Sequence, residues 1–143
     1  MLQRIQSVWL LLGAAFAATT FRFPFYSGTL KPGATTFADP APGPELNALA
    51  TIWLTILTAV ICGLALVTIF LYGNRKMQLR FSIIGLFLSI GLLALYFLQL
   101  GNFATGVMAL SCIFYFAIPV CWFLAIRGII RDDKLIRSMD RLR

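Results

Sequence analysis

Long apolar runs dominate the chain, broken at a few places by charge or by clusters of Pro, Gly and polar residues. Ala48 to Tyr72 holds 25 residues without a charge, and the 46 residues from Phe81 to Ile126 also hold none. A membrane-crossing helix needs about 20 mostly apolar residues, because each adds about 1.5 Å against about 30 Å of hydrocarbon. The longer stretch therefore suffices for two crossings, and Gln99, Gly101, Asn102, Thr105 and Gly106 near its middle mark an outer turn. The pattern predicts helices over about 48–72, 81–100 and 103–126, with Gly73 to Arg80 as a loop between the first two.

An earlier run, about 5–21, is shorter and carries Gln6 and Ser7. Its small residues Gly13, Ala14, Ala17 and Ala18 form a small-xxx-small face suited to helix packing, which predicts a fourth span. Ala15-Phe16-Ala17 behind a Leu-rich run and Arg4 fits a signal-peptide cleavage site instead. A mature N-terminus at or beyond Ala18 would remove that span.

Charge supplies the orientation. Arg4, Arg75, Lys76, Arg80, Arg127, Arg131, Lys134, Arg137, Arg141 and Arg143 fall on one side of these spans, and only Arg22 and Lys31 on the other. The positive-inside rule then places both termini and the Gly73 to Arg80 loop in the cytoplasm. Trp53 and Tyr96 fall near outer helix ends, and Trp9, Tyr72 and Trp122 near inner ends, as an aromatic belt would.

Small and hydroxylated residues recur along the spans. Thr51, Thr55, Thr58, Cys62 and Ala65 alternate spacings of four and three, the period of one helix face. Ser82, Gly85 and Ser89 do the same in the next helix, continuing through Leu92, Tyr96 and Gln99. Both stripes read as helix-packing faces, since lipid gives helices no hydrophobic drive to associate. A polar lining for a solute path is the alternative. Pro119 inside the last span removes a backbone bond and crowds the Tyr115 carbonyl, which predicts a kink, static or hinged.

Residues 22–47 carry five prolines and three glycines, so no continuous helix fits there. Phe21, Phe23, Phe25 and Tyr26 predict an extended piece resting on the helices, either as an interfacial anchor or as a lid or partner-docking surface. In the tail, 127–143, Leu135, Ile136, Met139 and Leu142 occupy one helical sector and Lys134, Arg137 and Arg141 the opposite one. That predicts an amphipathic helix lying on anionic headgroups, with docking onto a cytoplasmic partner as the alternative.

The 60% hydrophobic, 12% charged composition excludes an ordinary soluble domain. Its Lys and Arg flank apolar runs and do not interleave with groove-binding segments, which argues against nucleic-acid binding. There is no His, and Asp39, Glu45, Asp132, Asp133 and Asp140 all lie in the outer loop or inner tail. No span holds the ionisable group that pumps, coupled transporters and intramembrane hydrolases need at depth. Cys62, Cys112 and Cys121 lie in apolar spans and read as packing residues, Cys112 and Cys121 about 180° apart on a straight helix. Haem, zinc and nucleotide sites are unsupported, and Gly101 and Gly106 match no phosphate-loop motif.

The opening Met1-Leu2-Gln3-Arg4-Ile5-Gln6-Ser7 before Trp9 and three leucines, and the ending Leu124-Ala125-Ile126-Arg127-Gly128, Asp132-Asp133-Lys134-Leu135-Ile136-Arg137-Ser138 and Asp140-Arg141-Leu142-Arg143, are distinctive. Together they resemble a Bacteroidetes family of small four-span proteins described only as a domain of unknown function. Gly128 and Asp133 depart from the commoner Ala and Glu of that family. The resemblance implies a bacterial inner-membrane protein with its first helix retained, and it carries over no activity, ligand or catalytic residue.

The expectation is therefore a single all-α membrane domain over 1–143: a four-helix transmembrane bundle with an irregular outer loop and a C-terminal amphipathic helix. Its role reads as non-catalytic accessory or scaffold protein, without cofactor or metal. Its partners are the lipid bilayer and another membrane protein or a second copy. Two rivals are a small permease or lipid-binding protein using the polar face of the second helix, and a membrane enzyme whose reactive groups a partner supplies. Phe23, Phe25, Tyr26, Lys134, Arg137 and Arg141 form the candidate partner surface, and Thr51, Thr55, Thr58, Cys62, Ser82, Gly85 and Ser89 the packing face.

Overall fold

Backbone groups in lipid have no water to bond, so long apolar segments satisfy their own amides by coiling into helices. A computed structural model describes residues 3–33 and 45–140, with the side chains of residues 3, 4, 72, 137, 139 and 140 outside the description. Four helices result: α1 (Gln3–Thr19), α2 (Ile52–Phe70), α3 (Arg75–Leu100) and α4 (Cys112–Asp140). They close a ring, with α1 packed on α2 and α4, and α3 packed on the same two. Three hold stretches long and apolar enough to cross a membrane, Ile52–Phe70, Arg75–Leu100 and Cys112–Ile136. The apolar part of α1, Ile5–Thr19, is shorter.

The interior is made from one stripe of each helix. Leu10, Ala14 and Ala17 of α1 meet Leu54, Ile61 and Ala65 of α2, Leu92 and Tyr96 of α3, and Tyr115, Ile118 and Trp122 of α4. Large apolar side chains point outward instead of being hidden, Trp53, Phe70, Phe87 and Leu98 each being more than two-thirds exposed. A water-soluble monomer rarely shows so continuous an apolar exterior, whereas lipid accepts it.

At one end the helical body carries a three-stranded antiparallel sheet in the order β2-β1-β3, from β1 (Tyr26–Leu30), β2 (Glu45–Leu46) and β3 (Phe103–Met108). This corrects the all-α expectation and the irregular outer loop. Phe103–Met108 is strand where the helix over 103–126 was expected, and helix resumes only at Cys112. The central pairing brings Gly28 opposite Gly106. A Cβ on Gly28 would stand 2.1 Å from the Thr105 carbonyl oxygen, and one on Gly106 2.5 Å from that of Ser27. Only glycine permits that approach.

The opposite end carries the cationic residues, and two expectations change there. The loop expected over Gly73 to Arg80 shrinks to a 3-10 turn, Leu71–Gly73, and Asn74, with the charged residues from Arg75 onward already helical. The tail helix is not separate, because α4 runs unbroken through residue 127 to Asp140, with Pro119 inside it. Freedom from charge delimits the part of a helix that lies in hydrocarbon, not the helix itself.

Candidate functional site

One aromatic side chain plugs the sheet into the helices. Phe25 is wholly buried, its ring centroid 5.2 Å from Tyr96, 5.1 Å from Tyr115, 5.8 Å from Phe97 and 6.2 Å from Phe116. Tyr96 and Tyr115 meet edge to face at 4.7 Å beneath it. The T-shaped pairs set the positive ring edge against the negative face, which adds to their area burial. Backbone bonds flank this plug: the Phe25 amide donates to Leu46 O at 2.6 Å, and the Ala109 amide donates to Phe25 O at 3.2 Å.

Polar contacts hold the same segment. The Tyr115 hydroxyl donates to Phe23 O at 2.6 Å and lies 3.2 Å from Thr20 O, while Ser111 Oγ donates to Pro24 O at 2.5 Å. Lys31 closes the far corner, its Nζ donating to Gly101 O at 2.8 Å and its amide to Asn102 O at 3.0 Å. The segment Phe23–Lys31 is thus tied to Gly101 and Asn102 just past α3 and to Ser111 and Tyr115 at the start of α4.

Above this latch the surface is apolar. Among the described residues, strand β3 lies at the sheet's edge, bonded to β1 on one side. Val107 is 75% exposed, Met108 about half, and Leu110, just past the strand, 95%. Sequence reasoning missed β3 as a surface because its residues continue a charge-free run.

Of the expected partner residues, Phe25 is a core residue and leaves the candidate surface. Phe23 stays half exposed beside Phe114, at 6.0 Å, and Tyr26 is half buried against Phe103, at 5.1 Å. Lys134 is exposed at the other end. The Arg137 side chain and Arg141 lie outside the described residues.

The packing-face residues turn inward to different degrees. Thr58, Ser82 and Ser89 are buried, while Thr51, Thr55 and Cys62 are half buried. Thr55 Oγ1 donates to Ala48 O at 2.8 Å, Ser82 Oγ to Gln78 O at 2.9 Å, and Ser89 Oγ to Leu86 O at 2.8 Å. Across helices, Gln99 Nε2 donates to Thr51 Oγ1 at 2.9 Å, and Cys62 Sγ lies 3.7 Å from Ala14 O. Gly85 admits the Trp122 indole, since a Cβ there would come within 2.4 Å of its ring carbons. Trp122 and Tyr96 are therefore interior residues and not members of an aromatic belt. Among the described residues, Thr58 Oγ1, Tyr96 OH and Trp122 Nε1 are buried with no partner in regular hydrogen-bond geometry.

The other end holds a buried acid that the sequence reading placed in the charged inner tail. Asp132 on α4 is only 8% exposed and accepts a hydrogen bond from Gln6 Nε2 of α1, itself 5% exposed. Gly128 leaves room for Gln6, whose Cγ would lie 2.9 Å from a Cβ there. Among the described residues, no three His, Cys, Asp or Glu side chains gather as metal ligands.

Three helices long and apolar enough to cross a membrane, large apolar side chains turned outward and a sheet latched at one end are the features of a membrane protein. The chain belongs to the family described as a domain of unknown function (DUF4293), matched over residues 2–142. No curated protein and no solved structure matches it.

Proposed function

We propose that this chain is a non-catalytic accessory or scaffold protein of a bacterial inner membrane, crossing it four times with both termini in the cytoplasm. It presents the outer sheet to another membrane protein. The observation that carries this reading is the edge strand β3 with Val107, Met108 and Leu110 exposed on a sheet that Phe25 holds rigid. An unpaired strand edge is a template for an added strand, and neighbouring apolar side chains give the added strand something to bury. Burial of Leu10, Ala14 and Ala17 against α2 and α4 supports retention of α1 as the fourth crossing, which at 17 residues spans about 25 Å. The ten-to-two division of Lys and Arg supports the orientation.

The rival reading, a permease or lipid-binding protein using the polar face of α2, has less support. Thr55 and Thr68 direct their hydroxyls to backbone carbonyls, and Thr58 is enclosed among helices. Such hydroxyls need no pore.

Photo-crosslinking in cells tests the proposal. A crosslinking amino acid at Val107 or Leu110 should give discrete protein adducts, while one at Phe87, 70% exposed on the flank of α3, should give mainly lipid adducts. Equal patterns at the three positions would refute a partner-facing sheet.

A further inference from the structure

Where α3 begins and α4 nears its end, a cleft of about 300 Å³ opens between them, lined by Arg75, Lys76, Leu79, Ile129, Ile130, Asp133 and Lys134. The lining is sorted by depth. On α3, Leu79 lies one helical turn further from the cationic end than Arg75, and on α4, Ile129 and Ile130 lie one turn further than Asp133 and Lys134. One turn is about 5.4 Å, so a charged layer sits directly over an apolar one on both walls. The same sorting continues: Ile83, four residues beyond Leu79, and Phe123, seven before Ile130, are 39% and 54% exposed.

We propose that this cleft binds an anionic phospholipid from the adjoining leaflet. Its phosphate sits among Arg75, Lys76 and Lys134, and its glycerol and first acyl carbons lie against Leu79 and Ile130. Three cations against the single carboxylate of Asp133 leave the lining formally at +2, complementary to a phosphodiester. Arg75 offers a planar fork for two phosphate oxygens, and the two lysines add point charges. The apolar layer decides between sources of phosphate. A soluble phosphate would use the cations and leave Leu79 and Ile130 unmet, whereas a phospholipid presents both chemistries in the order in which the two walls present theirs. The site is independent of the sheet at the other end and of the partner proposed for it.

The test uses the full chain in phosphatidylcholine nanodiscs doped with phosphatidylglycerol, with bound lipid counted by native mass spectrometry. The triple variant Arg75→Gln, Lys76→Gln, Lys134→Gln should lose phosphatidylglycerol retention about tenfold or more. A control triple, Arg80→Gln, Arg127→Gln, Arg131→Gln, removes the same charge outside the lining and should change retention less than about twofold. Arg75→Lys with Lys76→Arg and Lys134→Arg keeps the charge and should keep most of the binding, which separates loss of the site from loss of the fold. Inorganic phosphate should not displace the lipid. Equal losses in the two Gln triples, or displacement by inorganic phosphate, would overturn the proposal.

Discussion

Replacing Phe25 by Ala should release the sheet from the helices without dismantling the helical body. The Phe25 ring is wholly enclosed by four aromatic rings at 5.1 to 6.2 Å, and truncation leaves a cavity that rigid helix-borne rings cannot close. Loss of a buried Phe costs about 3–5 kcal/mol, of which the edge-to-face pairs supply about 0.5–1.5 kcal/mol each without strict additivity. The loss falls on a local opening reaction, because the ring joins the strap to the body and α1 to α4 contact one another independently of it. At about 1.4 kcal/mol per tenfold, opening should become at least a hundredfold more frequent. Hydrogen exchange of the Ala109 amide, which donates to Phe25 O, reads that opening directly, and trypsin cleavage after Arg22 reads it independently. Phe23→Ala is the control, since Phe23 is half exposed and should change either rate by less than about tenfold. Equal acceleration in the two variants would refute the latch.

Further outcomes concern the interior. Gly85→Ala gains about 1 kcal/mol of helix propensity but drives a methyl into the Trp122 ring, for a net loss of up to about 2 kcal/mol in thermal unfolding. Combined with Trp122→Leu it should cost less than the two single losses together, and strict additivity would contradict the contact. Gln6→Ala leaves the Asp132 carboxylate buried without its donor and should destabilise by about 1–3 kcal/mol. Gln6→Ala with Asp132→Ala should recover part of that loss, and a larger loss than the sum would remove the pair from the account. Gly28→Ala has no space beside the Thr105 carbonyl and should abolish the β1–β3 pairing, read as lost amide protection over 26–30 with α2 to α4 unaffected.

The three long apolar helices were legible because freedom from charge over 18 or more residues satisfies its backbone most simply by coiling into helix. Of the residues on the two stripes, Thr58, Ser82, Gly85 and Ser89 are buried and Thr51, Thr55 and Cys62 half buried, small side chains at spacings of three and four allowing close helix approach. Strand β3 was hidden because Phe103–Met108 continues a charge-free run in which Thr105 and Gly106 read as an outer turn, and the glycines that pair it with β1, Gly28 and Gly106, are distant in sequence and opposed in space. The depth of Phe25 was hidden too, because alternating aromatics beside prolines describe an interfacial strap as well as an inserted plug. Asp132 read as one acid among several in a charged tail. Its counterpart, Gln6, was visible as a polar residue inside an apolar run, but a single polar residue does not name its partner.

The central claim is that the sheet and the cationic end lie on opposite sides of one membrane. Single cysteines at Thr105, exposed on β3, and at Ser138, exposed near the end of α4, test it after Cys62, Cys112 and Cys121 are replaced by alanine. A membrane-impermeant maleimide should label Thr105→Cys in intact cells and label Ser138→Cys only after the inner membrane is opened. Equal labelling of the two positions in intact cells, or recovery of the protein in the soluble fraction after a carbonate wash, would contradict it.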